Sequence, residues 1–76
     1  MKKLTQDDFK QPSCPRWVAS AAVDGGGIAW GFQLTSEELE IYCQRWVHPY
    51  GLCVLLGTEY DATNWQHSAI DREVQP

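Results

Sequence analysis

The chain has 76 residues, and its 43% hydrophobic, 12% aromatic and 21% charged content is typical of a globular domain rather than a disordered segment. This length excludes a two-domain enzyme, and the longest apolar run, residues 52–56, is far too short to span a bilayer. The formal net charge of −4 is concentrated in residues 17–61, where Arg45 stands against six carboxylates, so nucleic acid would be repelled from most of the body.

The first elements form an N-terminal arm over residues 1–16, which contains one short helical turn. Thr5 can cap this turn, and Asp8 follows at the spacing of a capping box. Leu4 and Phe9 flank the turn and can pack across its start. The remainder of the chain, up to a frayed tail at 71–76, is predicted to complete a single domain over residues 1–76.

A β-hairpin is predicted on either side of the run Asp24-Gly25-Gly26-Gly27, because residues 28–34 alternate between large and small side chains. A helix over residues 17–23 is the alternative, since alanine favours helices. A two-residue turn at Gly25-Gly26 sets the expected pairing. The predicted pairs are Val23 with Ile28, Ala21 with Trp30, Ala19 with Phe32 and Trp17 with Leu34.

One face of this predicted hairpin carries only small and almost uncharged side chains, and it needs a cover. A helix of the same chain, a second copy in a homodimer, or a partner protein could supply that cover. The candidate interface face consists of Val18, Ser20, Ala22, Ala29 and Gly31.

The segment from Thr35 to Val47 fits two structures. Thr35 and Glu38 have the spacing of a capping box, which predicts a helical first turn. Residues 41–48 fit both a continued helix and a strand, and both remain open. The run His48-Pro49-Tyr50-Gly51 predicts a hairpin turn.

The last elements are a strand and a short helix. Residues 52–57 are apolar on both faces, which predicts a buried central strand. Asp61 begins a turn into a short helix, from which Trp65 points back to the core. The fold class is therefore small α+β, an antiparallel β-meander of three to four strands with one or two short helices. The predicted core comprises Trp17, Trp30, Phe32, Leu55 and Trp65.

Metal binding and catalysis are both disfavoured by the pattern of reactive residues. No Cys-x-x-Cys or His-x-x-x-His pair exists to organise a zinc site, and three cysteines cannot all pair within one chain. A thiol or hydroxyl with a histidine beside it is not indicated by any spacing. We therefore expect free thiols in a reducing cytoplasm, no metal, no cofactor and no enzymatic activity. The residues considered for such sites are Cys14, Cys43, Cys53, His48, His67 and Ser68.

An acidic edge is the predicted partner-binding surface, because it would attract a basic region of another protein. For Asp61, service in the local turn is the favoured alternative. The candidate partner-binding residues are Glu37, Glu38, Glu40, Glu59 and Asp61.

Four motifs suggest a family. The chain opens with Leu4-Thr5-Gln6-Asp7-Asp8-Phe9 and Cys14-Pro15-Arg16-Trp17 and continues with Ala21-Ala22-Val23-Asp24-Gly25. It closes with Tyr60-Asp61-Ala62-Thr63-Asn64-Trp65-Gln66-His67-Ser68-Ala69-Ile70-Asp71-Arg72-Glu73. It resembles small, mostly uncharacterised proteins of tailed bacteriophages and prophages. These open with Leu-Thr-x-x-Asp-Phe and Cys-Pro-x-Trp, and close with Asp-Trp-x-x-Ser-Leu-Ile-x-Arg. Asn64 and Ala69 depart from that closing pattern.

The resemblance implies a phage accessory protein that binds a host protein in the bacterial cytoplasm and inhibits or redirects a host system. It transfers no active site, because the shared motifs are caps, turns and tryptophan anchors. The alternative from another class is a small metal-stabilised module associated with nucleic acid.

Overall fold

A computed structural model describes residues 1–73, and this part of the chain contains two antiparallel sheets and three short 3-10 helices. The main sheet has the strand order β5-β2-β1-β6, and β3 and β4 form a separate hairpin. This confirms the predicted fold class, a small α+β arrangement of mostly antiparallel strands. The strands are β1 (Ser20–Val23), β2 (Ala29–Phe32), β3 (Glu40–Tyr42), β4 (Arg45–Val47), β5 (Cys53–Gly57) and β6 (Ile70–Asp71), and the 3-10 helices are Gln6–Lys10, Ser36–Glu38 and Trp65–His67.

None of the helices within residues 1–73 has the length and apolar character needed to cross a membrane.

The β1–β2 hairpin forms where the glycine run predicts it, but the predicted register is wrong by one residue. Val23 pairs with Ala29 rather than with Ile28. The loop has three residues instead of two, because Asp24 N–H donates to the Ile28 carbonyl at 2.9 Å and Gly27 N–H donates to the Asp24 carbonyl at 3.1 Å. Gly27 has φ +80°, the left-handed conformation that closes such a loop.

The change of register redistributes the side chains of β1 between the two faces of the sheet. Ala22 lies opposite Trp30, so the small and large residues share a face. Ala29 and Gly31 lie on the other face, and Ala29 belongs to the cluster around Phe9. The predicted interface face therefore does not exist as one surface, and all five of its residues are buried within the chain: Val18, Ser20, Ala22, Ala29 and Gly31.

The core consists of two clusters, one on each face of the main sheet. One contains the buried residues Phe9, Cys14, Val18, Ala21, Val23, Ala29, Leu56 and Tyr60. The other contains Ala22, Phe32, Leu34 and Leu39, with Trp30 and Trp46 packed against it. The cover predicted for the small side chains of the first hairpin is therefore supplied by the chain itself.

Of the predicted core residues, only Phe32 is fully buried. Trp17, Trp30 and Trp65 are half-buried, and Leu55 is 50% exposed. The prediction for Leu55 is wrong because β5 is an edge strand rather than a central one. Leu55 lies opposite Trp30, and within residues 1–73 no strand flanks it on the outer side of β5. Leu56 points the other way and is buried in its place.

The segment from 35 to 47 combines both structures that its sequence allows. A 3-10 helix at Ser36–Glu38 gives way to the β3–β4 hairpin, whose turn residues Cys43 and Gln44 have φ of 51° and 63°. The predicted hairpin turn at 48–51 is wrong, because this segment links β4 to β5 in different sheets. The tip of β3–β4 is held instead by Gly25 N–H, which donates to the Gln44 carbonyl at 2.9 Å.

Asp8 connects the N-terminal arm to the body. The capped turn is confirmed as the 3-10 helix Gln6–Lys10, and the Asp8 carboxylate accepts Thr5 N–H at 2.8 Å. The same carboxylate accepts the hydroxyl of buried Tyr60. Burial, then the hydrogen bond to the charged Asp8, raise the pKa of Tyr60 to about 12.

The predicted frayed tail is not found in residues 71–73, while 74–76 lie outside the described residues. β6 pairs with β1, and the Asp71 carboxylate accepts both the N–H and the hydroxyl of Ser36 at 2.7 Å. Glu73 N–H donates to the Gln6 side chain at 3.0 Å. The end of the described chain is thereby bonded to both the arm and the second 3-10 helix.

Arg72 is the central link between the two ends. Its Nη1 donates to the carbonyls of Pro15 at 3.2 Å, Arg16 at 3.4 Å and Val18 at 3.2 Å. Its Nη2 donates to the Phe9 carbonyl at 3.1 Å, and the guanidinium lies 5.8 Å from the Phe9 ring centroid. Charge-assisted bonds of this kind are about twice as strong as neutral ones.

We expect Arg72→Met to lower the free energy of unfolding by about 2–4 kcal/mol, because it leaves several carbonyls of the arm without their donor. Urea unfolding followed by circular dichroism measures the change. Arg16→Met is the control, since the Arg16 side chain is exposed, and it should shift stability by less than about 0.5 kcal/mol. Equal effects of the two substitutions would contradict this role of Arg72.

We expect Tyr60 to ionise near pH 12, well above the ordinary pKa of a tyrosine. Between pH 10 and about 12 the folded protein keeps a proton that the unfolded chain has lost, so stability falls as pH rises through this window. The full difference corresponds to about 3 kcal/mol. Tyrosinate absorbance and urea unfolding test both statements, and Tyr60→Phe should remove the late step. Ionisation of Tyr60 near pH 10 would contradict them.

Candidate binding groove

A groove of about 530 Å³ lies between the β3–β4 hairpin and the open part of the main sheet. The hairpin contacts β1, where the Trp46 indole N–H donates to the Val23 carbonyl at 2.9 Å. On this face the hairpin leaves Trp30 of β2 half-buried and Cys53 of β5 exposed, whereas Phe32 at the base of the groove is buried. We call this space the aromatic groove, and it is lined by Asp24, Ile28, Trp30, Phe32, Arg45, Trp46, Val47, His48 and Cys53.

Aromatic side chains form the floor and one wall of the aromatic groove. Trp30 and Phe32 lie on the floor, two residues apart on β2, and Trp46 projects from β4. The Phe32 ring contacts His48 at a centroid distance of 5.5 Å, and Trp46 packs edge-on against Trp65 at 6.5 Å. Mostly apolar walls with a few polar groups are the usual composition of a binding site.

The polar groups of the groove differ in the hydrogen bonds and ion pairs that they already form within the chain. The Asp24 carboxylate accepts the N–H groups of Gly26 at 2.8 Å and Ile28 at 3.0 Å, and the indole N–H of Trp30 at 3.2 Å. Arg45 is exposed and forms no ion pair with any residue in the 1–73 range. The groove therefore carries one anion, the hydrogen-bonded Asp24 carboxylate, and one cation, Arg45, which forms no ion pair within residues 1–73.

The edge strand β5 borders the groove and carries no charge. Residues 46–58 contain no lysine, arginine, aspartate or glutamate. Leu52 and Leu55 are 57% and 50% exposed, and no strand in the described part of the chain pairs with the outer side of β5. The groove and this edge together form an exposed, largely apolar region that carries the Arg45 cation and the hydrogen-bonded Asp24 carboxylate.

The predicted acidic edge is divided between two ends of the sheet. Glu37 and Glu38 follow the end of β2, whereas Glu59 and Asp61 follow the end of β5, which runs antiparallel to β2. The two pairs therefore lie at opposite ends, and Glu40 begins β3.

Two of these carboxylates have local hydrogen-bond partners. Glu38 accepts the Tyr50 hydroxyl at 3.2 Å, and this bond raises the pKa of Tyr50. Asp61 accepts Thr63 N–H at 2.9 Å, and its hydrogen bonds with Thr63 lower the pKa of Asp61. The turn role considered for Asp61 is thus present in the structure.

The residues considered for metal binding or catalysis do not assemble. Within residues 1–73, no group of three His, Cys, Asp or Glu side chains is placed to hold a metal ion. Cys14 is buried in the core, Cys43 lies in the β3–β4 turn, and Cys53 lines the groove. The Ser68 hydroxyl accepts the Val23 N–H at 2.8 Å, and the Val23 and Trp65 carbonyls lie within hydrogen-bond distance as its acceptors. His67 is exposed.

The groove residues were missed as a site by sequence reasoning. Trp30 and Phe32 were assigned to the core alone, and Trp46 and Arg45 lay in the segment left open between helix and strand. One signal was present, namely the absence of charge from residues 46–58. The apolar run 52–57 within this stretch predicts a buried strand, although the same composition also fits an open edge.

None of the protein-family models, curated proteins or solved structures compared with this chain matches it. The resemblance to phage proteins therefore stays a prediction.

We expect Cys43 and Cys53 to react rapidly with a soluble disulfide reagent and Cys14 to react about 100-fold more slowly or only on unfolding. Burial raises the pKa of the Cys14 thiol, with the nearby Arg72 opposing it, and also blocks access. Spectroscopic thiol titration measures the rates. Cys53→Ser should remove one rapid equivalent and Cys14→Ser none, and three equal rates would contradict the placement of these residues.

Proposed function

We propose that this protein is a non-enzymatic binding protein that holds a segment of another protein in the aromatic groove. The observation that carries the proposal is an open groove of about 530 Å³ with Trp30, Phe32 and Trp46 in its walls. Aromatic residues in partly buried pockets supply a large share of the binding energy in protein interfaces. A groove of this volume accommodates one or two large apolar side chains of a partner.

The partner in this proposal is a protein of a bacterial host, and the protein is a bacteriophage or prophage product acting in the host cytoplasm. The resemblance of both ends of the chain to phage proteins supports this part. Binding would inhibit or redirect the host protein, because it would cover the part of the host protein's surface that contains the bound segment. The dispersed carboxylates of the body, Glu37 and Glu59 among them, then act in solubility and in steering rather than as the contact surface.

The placement of the reactive side chains supports a binding role over catalysis. Cys14 is enclosed in the core, and the Ser68 hydroxyl is committed to the backbone of Val23. A nucleophile requires a base within hydrogen-bond reach, and neither His48 nor His67 bonds to a thiol or hydroxyl in the described hydrogen bonds. The imidazole of His48 instead lies 3.0 Å from the Tyr50 carbonyl through Nδ1.

Two matched cysteine variants test the groove. Cys53→Arg places a long charged side chain in the groove at an exposed position, whereas Cys43→Arg places the same side chain in the exposed β3–β4 turn. We expect wild type and Cys43→Arg to capture the same protein from a bacterial lysate. With that protein purified, calorimetry should give at least about 10-fold weaker binding to Cys53→Arg, a loss of about 1.4 kcal/mol.

Circular dichroism and urea unfolding establish that both variants fold. Equal affinity of all three proteins for the captured partner would place the contact elsewhere and contradict the groove as the binding site. Failure of the wild-type protein to retain any host protein at micromolar concentration would contradict the function itself.

A further inference from the structure

We infer that the partner segment binds as an extended strand added to the outer side of β5, with an apolar side chain in the aromatic groove and an acidic side chain beside Arg45. This inference rests on the proposed function and adds the binding mode and the chemistry of the segment. Addition of a strand to a sheet edge is a general mode of peptide recognition, in which main-chain hydrogen bonds give affinity and alternate side chains give specificity.

The backbone of β5 is oriented for this mode. Gln33 N–H donates to the Leu52 carbonyl at 3.0 Å, so the main chain of Leu52 points toward β2. The peptide groups of an antiparallel strand alternate in direction, so those of Val54 also point toward β2. The N–H and C=O groups of Cys53 and Leu55 therefore point away from the sheet and can pair with an added strand.

No charge or proline opposes pairing along residues 53–55, the regular part of this edge that precedes the register shift in the β2–β5 pairing. Proteins usually protect an edge strand with a lysine, a proline or an inward-pointing charge. The stretch from Trp46 to Thr58 has no charged residue, and its proline, Pro49, precedes β5. The exposed side chains of Leu52 and Leu55 leave an apolar surface that an added strand would cover.

The register of the sheet connects this edge to the groove. Leu55 lies opposite Trp30, and Cys53 lies opposite Phe32, so both side chains project from the groove face. Every second residue of an added strand projects from the same face. Directly opposite Cys53, a large side chain of the added strand can extend over the small cysteine side chain into the aromatic groove, which both Cys53 and Phe32 line.

Charge distinguishes a peptide of another protein from a second copy of this chain. The Asp24 carboxylate of the groove is already hydrogen-bonded to three N–H groups of the chain, whereas Arg45 has no ion-pair partner within residues 1–73, and an aspartate or glutamate of the added strand would pair with it. A second copy pairing through its own β5 would bring residues 46–58, which contain no carboxylate. The occupant that fits is therefore an extended segment of another protein with alternating apolar side chains and one acidic residue.

Immobilised random eight-residue peptides and the full-length protein test this inference. Peptides with alternating large apolar residues and one aspartate or glutamate should be retained. Hydrogen exchange measured by nuclear magnetic resonance should then show the amides of Cys53 and Leu55 protected at least about 10-fold on peptide binding, with the amide of Val54 unchanged, because Val54 already points toward β2.

Two variants with matched controls define the contacts. Arg45→Glu should lower the affinity for acidic peptides at least about 10-fold and raise the affinity for peptides in which lysine replaces the acidic residue. Leu55→Lys should weaken the binding of every peptide, whereas Ser13→Lys, which adds the same charge at an exposed residue of the N-terminal arm, should have no effect.

Three outcomes would overturn the inference. Peptide binding without protection of the Cys53 and Leu55 amides would leave a groove ligand but no added strand. A dimer found by sedimentation and abolished by Leu55→Lys would identify a second copy as the occupant. Retention of no peptide, while Cys53→Arg still loses the captured host protein, would reject the extended segment and leave the proposed function standing.

Discussion

The Arg72 guanidinium holds the two ends of the chain together, and the rest of the structure depends on this contact. The carbonyls of Phe9, Pro15 and Val18 all accept hydrogen bonds from this one side chain. Arg72 thus supplies, from the C-terminal end of the chain, hydrogen-bond donors that the irregular N-terminal arm lacks. A chain of this size has only a small core, so a residue that satisfies several buried acceptors carries a large part of the net stability. The arm in turn covers one face of the sheet with Phe9.

The length of the β1–β2 loop decides how the side chains divide between the two faces. The three-residue loop that ends at Gly27 places Ala22 opposite Trp30, and small residues of β1 then lie beneath the β3–β4 hairpin. The large residues of β2 extend beyond the hairpin and become the floor of the aromatic groove. Gly27 is required here, since a Cβ atom at this position would come within 2.8 Å of the Tyr60 carbonyl oxygen.

Local elements could be predicted from the sequence, whereas their assembly could not. The caps, the first hairpin and the last turn depend on neighbours within a few residues, and the motifs around Asp8, Gly25 and Asp61 indicate them directly. The register depends on one additional loop residue, and the position of β5 at the edge depends on which strands pair at a distance. The apolar residues 52–57 are equally suited to a central and an edge strand, so the prediction of a buried Leu55 was wrong, and the groove beside it could not be found.

The β3–β4 hairpin is a wall built apart from the main sheet, attached by the Trp46 indole and by the contact of its tip with Gly25. The exposed residues of this wall, such as Tyr42 and Arg45, do not belong to the two core clusters. Sequence change at these exposed positions can therefore reshape the opening while Trp46 and the four-stranded scaffold keep their packing. Under the proposed function, such changes would alter the choice of ligand during evolution, and the short hairpin offers a segment for redesign.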